Sequence, residues 1–340
     1  MLSSRMTRPI TKQQLAARVL IVTLVFLSWI GLSMGSVKIP LTILLQILSG
    51  NDGSLPEYLT TIVWNVRMPR IFMAVLIGCM LASSGTVVQA VFHNPLADPY
   101  IIGISASAVA GAVLAFLLDL PVVFYGIFAF CISVATTFMI FRLAMGRGAV
   151  KITTLLIIGV AASSFLGAFT SFAMYAVGED SYKIIIWTMG YLGSASWLKA
   201  AMLVPPLFAA LLFFCFHRHD LDALMLGDQE AHALGIDVGK LKKQLLVVSC
   251  LIVSFSVAFS GMIGFVGLII PHTMRLLIGH SNTKLLGMTS LAGGVFLLFA
   301  DTIARNLLAP VEIPIGTVTA FFGAPFFIYL AIRSKGGITP

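Results

Sequence analysis

Long uncharged apolar runs recur from one end of this chain to the other, and LLVVSCLIVSFSVAF at 245–259 is typical. A helix of about twenty such residues matches the hydrocarbon thickness of a bilayer. Backbone N–H and C=O groups in lipid must be satisfied internally, which leaves helices and closed barrels as the only spanning structures. Barrel strands alternate apolar and polar residues, and these runs do not. The 340 residues are 59% apolar and 10% charged, against roughly 45–50% and 25% in soluble domains. The chain therefore reads as an all-α polytopic membrane protein, a single transmembrane domain over 1–340.

Hydropathy places ten spans, at about 15–35, 71–92, 100–118, 121–142, 152–177, 198–216, 244–261, 264–279, 284–308 and 315–333. The first follows Arg5, Arg8, Lys12 and Arg18 and ends at LSMGS, a poor cleavage site, so it reads as an anchor rather than a removable signal. Only Gly261, Met262 and Ile263 separate the seventh from the eighth. The spacing Gly261, Gly264, Gly267, with Pro271 beyond, would break what is otherwise one over-long helix. The four cysteines, Cys79, Cys131, Cys215 and Cys250, lie far apart in apolar stretches and read as small buried hydrophobes. No metal site is expected.

Counting Lys and Arg sets the orientation. With the N-terminus inside, fifteen of the 21 fall in cytoplasmic segments, and six fall outside: Lys38, Arg67, Arg70, Lys183, Lys199 and Arg305. Both termini and the segment 217–244 are then cytoplasmic, and the net charge of +8 reflects topology rather than nucleic-acid binding.

That segment, HRHDLDALMLGDQEAHALGIDVGKLKKQ, holds five of the thirteen acidic residues (Asp220, Asp222, Asp228, Glu230 and Asp237) and is the longest place where a soluble partner could grip. Ala223 to Met225 restart a short apolar helix, Gly227 breaks it, Asp228 caps a second helix through Ala233, and Gly235 ends that one. Two short amphipathic helices in a loop suit insertion into a cleft. The basic run Lys240 to Lys243 reads as a topology signal.

On the outer side, Arg67 and Arg70 form RMPR just before the second span, and Arg305 ends the ninth. Guanidinium forks take carboxylates in a bidentate, oriented way, so these arginines are candidates to receive an acidic partner. Asp301, four residues before Arg305 on one helical face, is the one clear acid inside a span and reads as its internal ion partner. Ion-coupled transport usually needs more titratable membrane groups than this. ATP chemistry is also missing, since no G-x-x-x-x-G-K-[ST] occurs and Gly239-Lys240 is followed by Leu241. Nucleotide energy must arrive from another subunit. His93, His272 and His280 lie at the cytoplasmic edge without a paired nucleophile or ligand cluster, which argues against a membrane-embedded enzyme.

The segments RMPR, QAVFHNPLADPYIIGISASA, IIIWTMGYLGSASW, LGDQEAHALGI, GFVGLIIPHTMRLLIGH, ADTIAR and IPIGTVTAFFGAPFFIYLAIR, in this order from about residue 64 to the C-terminus, resemble the FecCD family of permeases. These are membrane subunits of ATP-binding-cassette importers for iron-siderophores, haem and vitamin B12. The resemblance implies ten helices per subunit, a homodimer with a second permease subunit, two cytoplasmic ATPase subunits that bind ATP and Mg, a substrate-binding protein, and no cofactor on this chain. It implies a bacterial inner-membrane location. It also implies an inverted repeat, helices two to five against seven to ten, at which HNPLADPYIIG and GMIGFVGLIIP only hint.

The carry-over to residues is direct in places. ATPase coupling falls on Ala223, Leu224, Met225, Leu226, Gly227, Asp228, Gln229, Glu230, Ala231, His232, Ala233, Leu234 and Gly235, and binding-protein docking on Arg67, Arg70 and Arg305. The cytoplasmic gate falls on Asn94 and Leu96 after the second helix and on Ile152 and Thr153 at the start of the fifth, where KITT departs from the family's small hydroxyl residues. An apolar β-branched side chain there can still seal a pore by dewetting. Ile184 to Met189, too short to span, fits a helix over the pore mouth, and Glu312 reads as a cap or rim charge. Gln89, Ser163, Ser164, Thr170 and Thr317 are the candidate pathway-lining residues. The competing function is a secondary, ion-coupled transporter that works without an ATPase.

Overall fold

The computed structural model describes residues 12–144 and 152–335, apart from positions 52 and 54. Four of the basic residues that set the orientation, Arg5, Arg8, Arg147 and Lys151, lie outside the described residues. The helices are α1 (Lys12–Ser33), α2 (Leu41–Leu48), α3 (Glu57–Thr61), α4 (Met68–Val91), α5 (Ile104–Leu117), α6 (Val123–Ala144), α7 (Ile152–Val177), α8 (Tyr182–Thr188), α9 (Trp197–Phe216), α10 (Arg218–Leu224), α11 (Asp228–Ala233), α12 (Val238–Ser260), α13 (Val266–Ile278), α14 (Asn282–Asn306) and α15 (Ile315–Lys335). Seven helical stretches among the described residues are long and apolar enough to cross a membrane, and the shorter apolar helices at 104, 266 and 315 supply counterparts for the other three expected spans.

Two boundaries differ from expectation, and the expected break between the seventh and eighth spans holds at Gly261. The second span begins at Glu57, because α3 runs through a π-helical segment, Ile62–Arg67, straight into α4. RMPR is thus inside a 35-residue helix rather than ahead of it. The break between the seventh and eighth spans is at Gly261 and Phe265, both with positive φ, whereas Pro271 lies inside α13. α12 begins at Val238, so Lys240 to Lys243 belong to a helix and not to the loop.

The bundle is organised around α4, which packs against α9, α12, α13 and α14. Lipid offers no hydrophobic drive for helices to associate, so they hold by close packing of small residues and by polar contacts. α4 uses both. A Cβ on Gly78 would collide with the carbonyl of Gly293 in α14, and one on Gly85 with the carbonyl of Gly267 in α13, so backbone touches backbone at both points. Along the same helix Ser84 Oγ donates to Ser249 O of α12 (3.3 Å), Thr86 Oγ1 to Thr289 Oγ1 of α14 (2.9 Å), and Gln89 Nε2 to Leu268 O of α13 (3.0 Å).

α5 and α13 are short, and each starts from a left-handed residue, Gly103 and Phe265. The broken segments ahead of them meet: Tyr100 Oη donates to Ile263 O (3.2 Å) and Ser105 Oγ contacts Met262 Sδ (2.9 Å). Irregular backbone is tolerated at membrane depth only where protein surrounds it, as here. α1 and α7 are the least buried long helices, and of the cysteines Cys131 and Cys215 are exposed, on outward faces of α6 and α9.

Gly85→Val should force α13 away from α4, an overpacking worth about 1–3 kcal/mol or more. The expected outcome is a clear fall in the thermal midpoint of the detergent-solubilised protein. An unchanged midpoint would mean that the backbone contact is not structural.

Candidate functional site

Polar side chains gather at the two ends of the apolar bundle. At the end expected to face outward, Arg70 lies between two carboxylates. Its Nε and Nη2 reach Asp301 at 2.9 Å, and its Nη1 meets both oxygens of Glu312 at 2.9 and 3.0 Å. Arg305 Nε stands 3.1 Å from the other Asp301 oxygen, and its Nη1 donates to Gly31 O of α1 at 3.2 Å. Arg67 donates to the carbonyls of Leu32 and Val37, where α1 hands over to the next segment.

All three guanidiniums are buried within the subunit, so they are not the free forks expected on the rim. The physical reason lies in the partners. Lone arginines would reach for water, but Asp301 and Glu312 are supplied by α14 and by the loop ahead of α15, and carbonyls at the end of α1 and just beyond it meet Arg67 and Arg305. Glu312, expected as a cap or rim charge, is therefore an ion-pair member. Tyr191 lies beside this cluster; partial burial and the Glu312 carboxylate raise its phenol above the ordinary range.

The opposite end carries the 217–235 segment, which folds as α10 and α11. Leu221, Leu224 and Ala231 are buried against the bundle, whereas Leu226 and Leu234 are 71% and 67% exposed. Gln229, Glu230, His232, Ala233 and Gly235 are also exposed. Three anchors fix the segment. His93, just beyond α4, bonds the carbonyl of Leu224 through Nε2. Asp222 accepts from the backbone N–H of Asn282 and from Ser281 Oγ and Thr283 Oγ1 (both 2.9 Å) at the start of α14. Asp228 pairs with Lys242 of α12 at 2.6 Å. The expectation that Asp228 caps α11 is corrected: the cap position is Gly227, and the Asp228 carboxylate is engaged by Lys242 instead. Lys242 is buried and so is more than a topology signal.

The sequence pattern did not single out Asp222, although the S-N-T run at 281–283 marks a helix start that needs an acceptor. Burial works against the Asp222 charge but is outweighed by the bonds from Asn282, Thr283 and Ser281, which hold its carboxyl below the usual carboxylate range. Arg275 likewise escapes a reading of the sequence. It is buried and donates to Thr86 O, Asn282 Oδ1 and His280 O.

Asn94, Pro95, Gln89, His93, Met225, His272, Arg275, Leu276 and His280 line a cavity of about 240 Å³, which brings one gate stretch beside the 217–235 segment. Within that stretch Asn94 Oδ1 accepts from the N–H of Leu96 (2.9 Å), and Asp98 accepts from the N–H of Tyr100 (2.7 Å). Ile152 and Thr153, at the start of α7, are not among the residues lining it. The candidate lining residues do not converge: Gln89 is bound to Leu268, Ser163 and Ser164 donate to carbonyls of their own helix, Thr170 is buried with an unpaired hydroxyl among the described residues, and Thr317 is exposed at the start of α15. Among the described residues no group of three or more His, Cys, Asp or Glu could hold a metal ion.

Asp301→Ala leaves Arg70 and Arg305 buried without their shared counter-charge, and should lower stability by about 3–5 kcal/mol, read as a large drop in thermal midpoint. Asp222→Asn should lower the midpoint at neutral pH. Because the folded carboxyl titrates below its unfolded value near pH 4, that difference is complete above about pH 4 and should shrink as pH falls through the lower folded value.

Comparison with known proteins agrees with this architecture. The chain is 39% identical over 277 residues to a cobalamin import system permease protein, BtuC, of Halobacterium salinarum, covering 81% of this chain and 74% of the relative. It is 37% identical over 286 residues to the hemin transport system permease protein HmuU of Yersinia pestis, covering 80% and 84%. A solved structure described as an inward-facing conformation of a metal-chelate type ABC transporter superposes with a TM-score of 0.82 at 30% identity, covering 93% of this chain and 98% of that one. Residues 21–333 match the model of the FecCD transport family, and with its apolar helices in the fold of a metal-chelate ABC permease this chain is a member of that family, a multi-pass membrane permease of the ABC transporter type.

Proposed function

We propose that the chain is the transmembrane subunit of an ABC importer that carries a metal chelate (an iron-siderophore, haem or cobalamin) into the cytoplasm by alternating access. It pairs with a second copy of itself, two ATPase subunits that bind ATP and Mg, and a substrate-binding protein. It lies in the bacterial inner membrane with both termini cytoplasmic. The observation that carries this reading is the build of the 217–235 segment: two short helices tied to His93 beyond α4, to α12 and to α14, with Leu226 and Leu234 left exposed. Exposed leucines on an element fixed at three points suit a groove in a partner, and motion imposed on them passes to three transport helices at once.

Relatives named for cobalamin and hemin import support the cargo class. The gate is assigned to Asn94 and Leu96 with Ile152 and Thr153, and the pathway to the faces of α4, α7 and α15 that include Gln89, Ser163, Ser164, Thr170 and Thr317. Binding-protein docking is assigned to the outer cluster of Arg67, Arg70 and Arg305, reached through its exposed edge at Glu312.

Leu226→Glu combined with Leu234→Glu should leave the thermal midpoint unchanged, since both side chains face outward, while weakening ATPase association by roughly thirtyfold or more, the cost of losing a central apolar anchor. Co-purification of the subunits reads this directly. In proteoliposomes holding the assembled complex, uptake should require ATP; uptake at full rate without nucleotide would favour an ion-coupled carrier and overturn the assignment.

A further inference from the structure

The outer cluster is not charge-balanced among the described residues. Three guanidiniums, Arg67, Arg70 and Arg305, stand with two carboxylates, Asp301 and Glu312; Arg67 bonds the carbonyls of Leu32 and Val37 rather than either carboxylate, and Arg305 Nη2 is buried with no acceptor among the described residues. The carboxylates also differ in kind. Asp301 is wholly buried in α14 and shared by two arginines, whereas the Glu312 side chain is 29% exposed, stands on the loop between α14 and α15, and bonds Arg70 Nη1.

We propose that Glu312 is a placeholder for a carboxylate of the docking protein, which exchanges with it on Arg70; this rests on the docking assignment above. The exchange replaces one arginine–carboxylate contact with another, so little is lost at Arg70, and Asp301 keeps the site from emptying during the swap. The incoming carboxylate gains from the net positive charge of the cluster. Glu312, already at the water edge, moves into solvent.

The exchange has a mechanical outlet. Three residues beyond Glu312, Ile315 donates its N–H to Gly190 O (3.1 Å) and Gly316 to Met189 O (3.0 Å), at the end of α8; Tyr191 then donates to Ser260 O (2.8 Å) at the end of α12. A Cβ on Gly316 would collide with the Met189 carbonyl, so these stretches of backbone are in direct contact. Release of Glu312 thus acts on the loop leading into α15 and, through these backbone bonds, on the ends of α8 and α12, which passes occupancy of the docking surface to the mouth of the bundle.

The test uses the complete transporter in nanodiscs. Glutarate and acetate should raise the thermal midpoint of Glu312→Ala, whose Arg70 lacks the placeholder, and should leave wild type unchanged. With the substrate-binding protein as titrant, Glu312→Gln should bind roughly three- to tenfold tighter than wild type because nothing must be displaced, and Arg70→Lys, which loses the fork, should bind more weakly. Weaker binding by Arg70→Lys, with Glu312→Gln no tighter than wild type and Glu312→Ala blind to carboxylates, would keep the docking assignment and overturn the exchange. Wild-type affinity in both Arg70→Lys and Glu312→Gln would overturn the docking assignment itself.

Discussion

The contact of α4 with α14 is the constraint on which the rest of this structure depends. Two helices that meet through glycine carbonyls, at Gly78 and Gly293, can lie closer than side chains would allow, and in lipid that closeness replaces the hydrophobic drive that folds soluble proteins. Hydroxyl and amide bonds from Ser84, Thr86 and Gln89 then fix the rotation of α4 against α12, α14 and α13. Neither device would suffice alone. Small residues permit approach from several directions, and the polar bonds select one.

The same helix pair joins the two polar ends. α4 carries Arg70 near one end and leads to His93 at the other, while α14 carries Asp301 and Arg305 at one end and begins at Asn282 and Thr283, held by Asp222, at the other. A displacement of the 217–235 segment therefore acts on elements that also build the charge cluster at the opposite end. Packed interfaces of this kind change between discrete arrangements rather than deform smoothly, which suits the alternating access proposed above.

Much of this architecture is legible in the amino-acid sequence. All ten expected spans have helical counterparts, and the second short helix, Asp228–Ala233, can be read from Gly227 and Gly235, because hydropathy and helix breakers act locally; the first, expected from Ala223 to Met225, instead runs Arg218–Leu224, directly after α9. The sequence misleads where a charge has a distant partner. Arg67 and Arg70 look like rim residues because nothing nearby in sequence could neutralise them; their acceptors come from residues 32, 37, 301 and 312. Asp228 looks like a cap and Lys242 like a topology signal for the same reason, since each is the other's partner across a turn of chain. Pro271 has the signature of a breaker, yet it sits inside α13, where the preceding positive-φ residues have already made the turn.

By itself the sequence determined that this protein belongs in a bilayer, where its apolar helices fall, and which segments carry the most basic residues. Those properties follow from hydrophobic length and basic-residue count, which are sums over neighbours in the chain. Only the tertiary structure decided that Arg67, Arg70 and Arg305 are buried in an unbalanced cluster and that the 217–235 segment is tied to three separate parts of the bundle. The cluster depends on charges that meet across more than two hundred residues and the segment on partners 14 to 131 residues away, and local chemistry cannot specify either until packing has brought them together.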